Sequence, residues 1–165
     1  MDPVYTLAWR HGAGQVMPED LPMAAADLLA AGEDSPALCD LAGRARNEAP
    51  AELIDLLSTA LAELGLPEPG CGLSWRCHVW ETAERVATGA LVPEELVGNF
   101  RCDAEADATE TEWGFAAHYL EVDCTSCLSY MSAEDVTAWA ASTRAAAGAV
   151  VSAGDDPRVA PPRAL

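Results

Sequence analysis

Ala49-Pro50-Ala51-Glu52-Leu53-Ile54-Asp55-Leu56-Leu57-Ser58-Thr59-Ala60-Leu61-Ala62-Glu63-Leu64 is the stretch that decides the fold. Leu53, Leu56, Leu57, Ala60, Leu61 and Leu64 recur at three- and four-residue spacing and draw one apolar stripe along a helix. Pro50 suits the first turn, where no backbone N–H is needed. Gly65 is placed to end the helix in the left-handed conformation, and Pro67 follows it. A helix this apolar on one face must bury it against neighbours, and the flanking sequence supplies candidates.

On the N-terminal side, residues 18–31 predict a helix. Glu19 and Asp20 stand in its opening turn, where the helix dipole favours acids, Met23, Leu28 and Leu29 offer apolar contacts, and Gly32 stops it. Ser35-Pro36 is an N-cap followed by proline at the first helical position, opening a helix to about Arg46. Leu38, Leu41 and Ala42 face inward there, with Cys39 beside them as a small buried hydrophobe. Residues 1–16 carry two apolar anchors, Leu7 and Trp9, then a Gly12-Ala13-Gly14 turn that lacks the glycines and Lys-Ser/Thr pair of a phosphate loop. Short connectors imply antiparallel packing.

On the C-terminal side, Gly65-Leu66-Pro67-Glu68-Pro69-Gly70-Cys71-Gly72 is the sharpest break. Residues 73–88 predict a helix with Trp75, Val79, Ala83 and Val86 at helical spacing, Trp80 nearby and Gly89 closing it. Pro93-Glu94-Glu95-Leu96 opens a short helix. In residues 113–122, Trp113, Ala116, Ala117 and Leu120 fit a helix, while Phe115, Tyr119 and Val122 would also suit a strand; helix is the expectation. Ser132-Ala133-Glu134-Asp135 resembles a capping box with Asp in place of Glu. The final helix follows, with Val136, Trp139, Ala140, Thr143, Ala147 and Val150 on one face. The expected fold is all-α: an irregular bundle of about six or seven helices in a single domain, residues 1–151, with a disordered tail from 152 to 165.

The chain of 165 residues carries 27 acids against nine basic residues, a formal charge of −18, and every basic residue is arginine. Such a surface repels phosphate backbones and argues against direct nucleic-acid binding. It favours solubility and steers basic partners. A GC-rich bacterial genome or a salt-adapted host yields the same composition. No apolar run approaches the ~20 residues of a membrane span, and residues 1–10 lack the pattern of a signal peptide, so a cytoplasmic protein is expected. Without a secretion signal, six cysteines are expected as thiols or metal ligands rather than disulfides.

Cys124-Thr125-Ser126-Cys127 is a C-x-x-C pair, and Cys71 and Cys77 form a looser one beside His78. Two thiolate pairs on separate segments are how a tetrahedral zinc site is assembled. Five residues separate Cys71 from Cys77, where two to four are usual, so Cys102 or His118 would stand in for a missing ligand. Thioredoxin-like chemistry needs a strand before the motif, and the acidic Glu121-Val122-Asp123 opposes a thiolate. The sequence holds no Gly-x-Ser-x-Gly, Walker loop or His-Glu-x-x-His, so the reading leans away from an enzyme.

Residues 102–112 are the most acidic segment, with Asp103, Glu105, Asp107, Glu110 and Glu112. They read as a solvated loop or as a docking surface. Trp75 and Trp80, five apart, do not share one narrow stripe; either both pack between helices or one is an exposed interface anchor. The expected function is a small acidic cytoplasmic protein-binding factor, in the manner of an inhibitor, an immunity protein or an accessory subunit. It would engage a basic protein through Trp75, Trp80, Glu105, Asp107, Glu110 and Glu112, with no membrane contact and with a homodimer open through a spare helix face. The alternative is a zinc-stabilised or thiol-active accessory enzyme built on Cys71, Cys77, Cys124 and Cys127. Zinc is the one cofactor the sequence suggests.

Overall fold

A computed structural model describes residues 1–96, 108–122 and 125–159. Every regular element among them is helical: eight α-helices and two short 3₁₀ turns, the all-α architecture the sequence predicts. The chain divides by its internal contacts into two compact units, Met1–Trp75 with the chain end from Arg158, and Arg76–Pro157.

The first unit opens on a helix the sequence reading did not expect, α1 (Pro3–Gly12). Asp2 Oδ1 accepts the backbone N–H groups of Val4 and Tyr5 at 3.0 and 3.1 Å, and Pro3 occupies the first turn. The Asp2-Pro3 pair was the available signal. Val4, Tyr5, Leu7, Ala8 and Trp9 are all buried. A 3₁₀ turn, Pro18–Asp20, leads into α2 (Leu21–Ala30), which buries Leu21, Pro22 and Ala25. Met23 points to solvent at 59 % exposure, so the inward role expected of it belongs to Leu21 and Ala25. α3 (Pro36–Ala42) buries Ala37, Leu38 and Leu41 and stops short of Arg46. Cys39 is exposed, because one residue beyond Leu38 the helix has turned about 100° away from the core.

α4 (Pro50–Glu63) is the predicted central helix. It buries Leu53, Leu57, Ala60 and Leu61, and Gly65 takes the left-handed φ of +67° after it. α3 packs against both α2 and α4, and α1 also touches both. Leu53 is fully buried, so Leu53→Ala should cost about 2–5 kcal/mol through lost burial and the cavity left behind. The two ends of α3 and α4 are also tied by hydrogen bonds. Ser35 Oγ accepts the Leu38 N–H at 3.1 Å and donates to Glu63 Oε2 at 2.5 Å, and the Ala37 N–H donates to the same oxygen at 3.0 Å. The Ser35 bond, then the Ala37 bond, hold the Glu63 carboxyl below its ordinary range against the opposing effect of burial. A Cβ on Gly12 would lie 2.4 Å from Ser74 Oγ, so glycine permits this close approach.

The second unit contains most of α5 (Cys71–Ala87), then a 3₁₀ turn, Pro93–Leu96, where a short helix was expected. α6 (Glu110–Glu121), α7 (Thr125–Tyr130) and α8 (Ala133–Ser152) follow, and α7 was not anticipated. α6 is helical as expected, but it presents another face. Glu112, Phe115, Ala116 and Tyr119, at i, i+3, i+4 and i+7, are buried, while Leu120 is 51 % exposed. Phe115 and Tyr119, the residues that also suited a strand, meet edge to face at 5.0 Å between ring centroids. α8 packs on α6 and buries Trp139, Ala140, Thr143, Ala147 and Val150, the face read from the sequence. Its N-cap is Ser132, whose Oγ accepts the Asp135 N–H at 3.1 Å. Val122, Trp139 and Ala140 form a cluster on which Cys127, Leu128 and Met131 pack. Beyond α8, Arg158 is buried, so the fraying expected from Ser152 does not run through that residue. Among the described residues no helix is long and apolar enough to cross a membrane.

Candidate functional site

The acidic segment expected to face a partner instead sends one carboxylate inward. Glu105 and Asp107 lie outside the described residues, and Glu110 is exposed in the first turn of α6. Glu112 is 1 % exposed. It is the third helical residue of a capping box: the Thr109 N–H donates to its Oε2 at 2.7 Å, and its own N–H donates to Thr109 Oγ1 at 3.3 Å. Thr109-x-x-Glu112 carried that signal in the sequence. Arg76 Nε donates to Oε2 at 2.9 Å and to Oε1 at 3.1 Å, and Trp80 Nε1 donates to Oε1 at 2.8 Å. Arg76 and Trp80 are four residues apart on α5, so both reach the same carboxylate. Burial pushes the Glu112 carboxyl up. The bonds from Arg76, the Thr109 backbone and Trp80, with the Arg76 charge, outweigh that and hold it below the usual carboxylate range. This carboxylate is spent internally and is removed from the expected docking set.

The tryptophans follow it. Trp75 and Trp80 are each 4 % exposed, so neither is an exposed anchor. The zinc cluster also loses its first pair. Cys71 opens α5 and is exposed, whereas Cys77 is fully buried on the same helix. Six residues along a helix is about 9 Å of rise and about 240° of rotation, which points the two thiols apart. Cys127 is half-buried and Cys124 lies outside the described residues. Among the described residues no three His, Cys, Asp or Glu side chains converge as a metal site.

Two of the cavities among the described residues bring a histidine together with other polar groups. In the first unit a cleft of about 190 Å³ is floored by Ala8, Ile54, Leu57 and Leu61 and rimmed by His11, Ser58, Glu68 and Cys71. His11 Nδ1 lies 2.9 Å from the Val16 carbonyl oxygen; since that oxygen only accepts, Nδ1 carries the proton. Ser58 Oγ donates to Glu68 Oε1 at 3.0 Å.

In the second unit a pocket of about 510 Å³ opens between α6 and α8. Val122, Met131, Ala138 and Trp139 form its apolar wall, and His118, Asp135 and Ser142 supply polar groups. Trp139 Nε1 donates to the His118 carbonyl oxygen at 3.0 Å, and Ser142 Oγ lies 3.4 Å from His118 Nε2. Asp135 Oδ2 accepts from Ser132 Oγ at 2.7 Å. Serine, histidine and aspartate share this pocket without forming a nucleophilic triad. Asp135 is bonded to Ser132, two turns of α8 from Ser142, and Ser142 sits mid-helix, where the backbone N–H groups are committed to the helix ladder and none is left to hold an oxyanion. The arrangement suits binding better than catalysis. Sequence reasoning weighed His118 as a substitute metal ligand and as a formal partner for a Cys77 or Cys102 nucleophile, not as part of a binding pocket. The stripe Asp135, Ala138, Trp139, Ser142 at i, i+3, i+4 and i+7 was its legible trace.

Comparison of the chain with protein-family models, with curated proteins and with solved structures finds no match.

Proposed function

We propose that this protein is an acidic protein-binding module of the cytoplasm that engages a basic protein partner. The observation that carries the reading is where the acids stand. The first unit holds twelve acids against five arginines and the second fifteen against four, and among the described carboxylates only Glu112 is buried. Arg44, Arg46 and Arg76 are each paired to an acid of the same chain, Glu48, Asp20 and Glu112. Both units therefore present negative surface, which accelerates encounter with a positive partner and repels phosphate backbones. The test is capture of a partner from the host lysate with the full chain, followed by reconstitution with the purified partner. A basic partner whose association slows about tenfold or more between about 20 and about 200 mM salt supports the reading. A neutral or acidic partner, or a rate flat in salt, refutes it.

The first-unit cleft favours a second reading, a thiol-active site at Cys71, because an exposed thiol shares one small cavity with an imidazole and a carboxylate. Cys39 is an exposed comparison thiol outside that cleft. Faster adduct formation at Cys71 than at Cys39 with small electrophiles, read by mass spectrometry, supports this reading; equal rates remove it.

A further inference from the structure

We infer that the pocket between α6 and α8 seats an arginine side chain of the basic partner. The inference rests on the proposed function for the sign of the partner's charge. The pocket adds the chemistry of the group that enters.

Asp135 stands in the pocket, and Glu134, exposed beside it in the first turn of α8, reinforces the negative field. One Asp135 oxygen already accepts the Ser132 hydroxyl, but a carboxylate has about four acceptor positions, so capacity remains for an incoming donor. Ser142 Oγ offers a further acceptor on the same wall. Between and beside these groups, Ala138 and Trp139 on the same stripe of α8, with Val122 and Met131, provide apolar surface for a methylene stem and for the flat face of a guanidinium. Arginine fits better than lysine for that reason: its planar, weakly hydrated head packs against apolar and aromatic walls while its edge donates to a carboxylate, whereas an ammonium keeps its water. An anion would meet Asp135 in a unit with eleven more acids than arginines. A purely apolar group would strip water from Asp135, Ser142 and His118 without replacing its hydrogen bonds. The volume is larger than one side chain needs, so residues flanking the arginine enter with it.

The test is a titration of the ¹⁵N-labelled full chain with acetyl-Gly-Arg-Gly-amide, followed by NMR. The same peptide with citrulline, and with leucine, serves as the comparison. The expected result is a shift of the Trp139 indole N–H and of the Asp135, Ala138 and Ser142 amides, with the arginine peptide binding about tenfold tighter than the citrulline one. Asp135→Asn should bring arginine down to the citrulline level. Ala138→Phe, which fills the pocket and leaves its charge unchanged, should remove the response to all three peptides. Shifts confined to another surface, an equal response to citrulline or leucine, or arginine binding that survives either variant overturns the inference. A captured basic partner that still associates with salt-sensitive rates through both variants overturns the arginine seat and leaves the binding-module reading standing. Arginine seated in the pocket with a salt-insensitive partner does the reverse.

Discussion

Replacing Glu112 by alanine removes an almost fully buried carboxylate on which Arg76 Nε, Trp80 Nε1 and the Thr109 N–H converge. Arg76 is left with 18 % side-chain exposure and only the weaker charge interaction with Asp155, and breaking a buried pair from one side costs about 3–5 kcal/mol. The orphaned Trp80 N–H would by itself cost about 1–3 kcal/mol, and the lost cap about 1 kcal/mol. These costs arise from one carboxylate and do not add, and the water still reaching Arg76 favours the lower end. The expected destabilisation is about 3–5 kcal/mol. With a urea slope of about 2 kcal/mol per molar, the midpoint at pH 7 should fall by about 1.5–2.5 M, read by far-ultraviolet circular dichroism. Glu110→Ala, in the same first turn but exposed, loses only a helix-dipole contribution of about 0.5 kcal/mol and is the control. Arg76→Met combined with Glu112→Leu should recover more than half of the loss, with the Trp80 and Thr109 donors still unmet. The reasoning is refuted if Glu112→Ala lies within about 1 kcal/mol of Glu110→Ala. The same bonds set a pH dependence. The folded carboxyl is a stronger acid than its unfolded form, whose ordinary value is 4.5, so the unfolded chain takes up the proton first as pH falls. Its contribution is complete above pH 4.5 and is lost as pH drops through the folded value, and Glu112→Gln should flatten the fall in stability across that window.

Three further outcomes follow from the first unit and the thiols. Ser35→Ala should lower stability by about 1–2 kcal/mol in thermal unfolding, since Ser35 is a 2 % exposed cap; Ser35→Asp, ordinarily an equal cap, should fail to restore it, because the new carboxylate meets Glu63. Gly12→Ala, a change that stabilises most helices, should instead cost about 1–3 kcal/mol through the Ser74 Oγ contact; Ser74→Gly should reverse the sign, and a neutral effect of Gly12→Ala alone would contradict the close approach. Alkylation followed by mass spectrometry should label Cys39 and Cys71 first and Cys127 more slowly, with Cys77 protected until unfolding; early labelling of Cys77 would contradict its burial.

How much was legible varies from helix to helix. The ends of α4 and α8 and their buried faces follow from Pro50, Gly65, Ser132 and the spacing of leucines, alanines and Trp139. α1 was missed although Asp2-Pro3 is a start signal, because its apolar residues run almost unbroken and show little period. α6 was found but turned the wrong way: Leu120 and Tyr119 are adjacent, large residues, and the neighbours of α6, which include α8 and the Arg76 and Trp80 side chains of α5 on Glu112, choose between them. Trp75 and Trp80 are both buried although they share no narrow stripe.

The candidate sites divide along the same line. Caps, stops and amphipathic stripes are settled by residues within one or two turns of each other, so the chain's own order determines them; net charge is settled by composition alone. Which acid leaves the surface, which thiols part company and which side chains share a cavity depend on neighbours tens of positions away. Glu112 meets Arg76 across 36 residues, and His118 meets Ser142 across 24. The sequence by itself determined an acidic all-helical chain with well-marked helix ends. The tertiary structure alone decided that Glu112 is internal and that Asp135, Trp139 and His118 line one pocket, because the burial of a helical side chain is set by what packs against it.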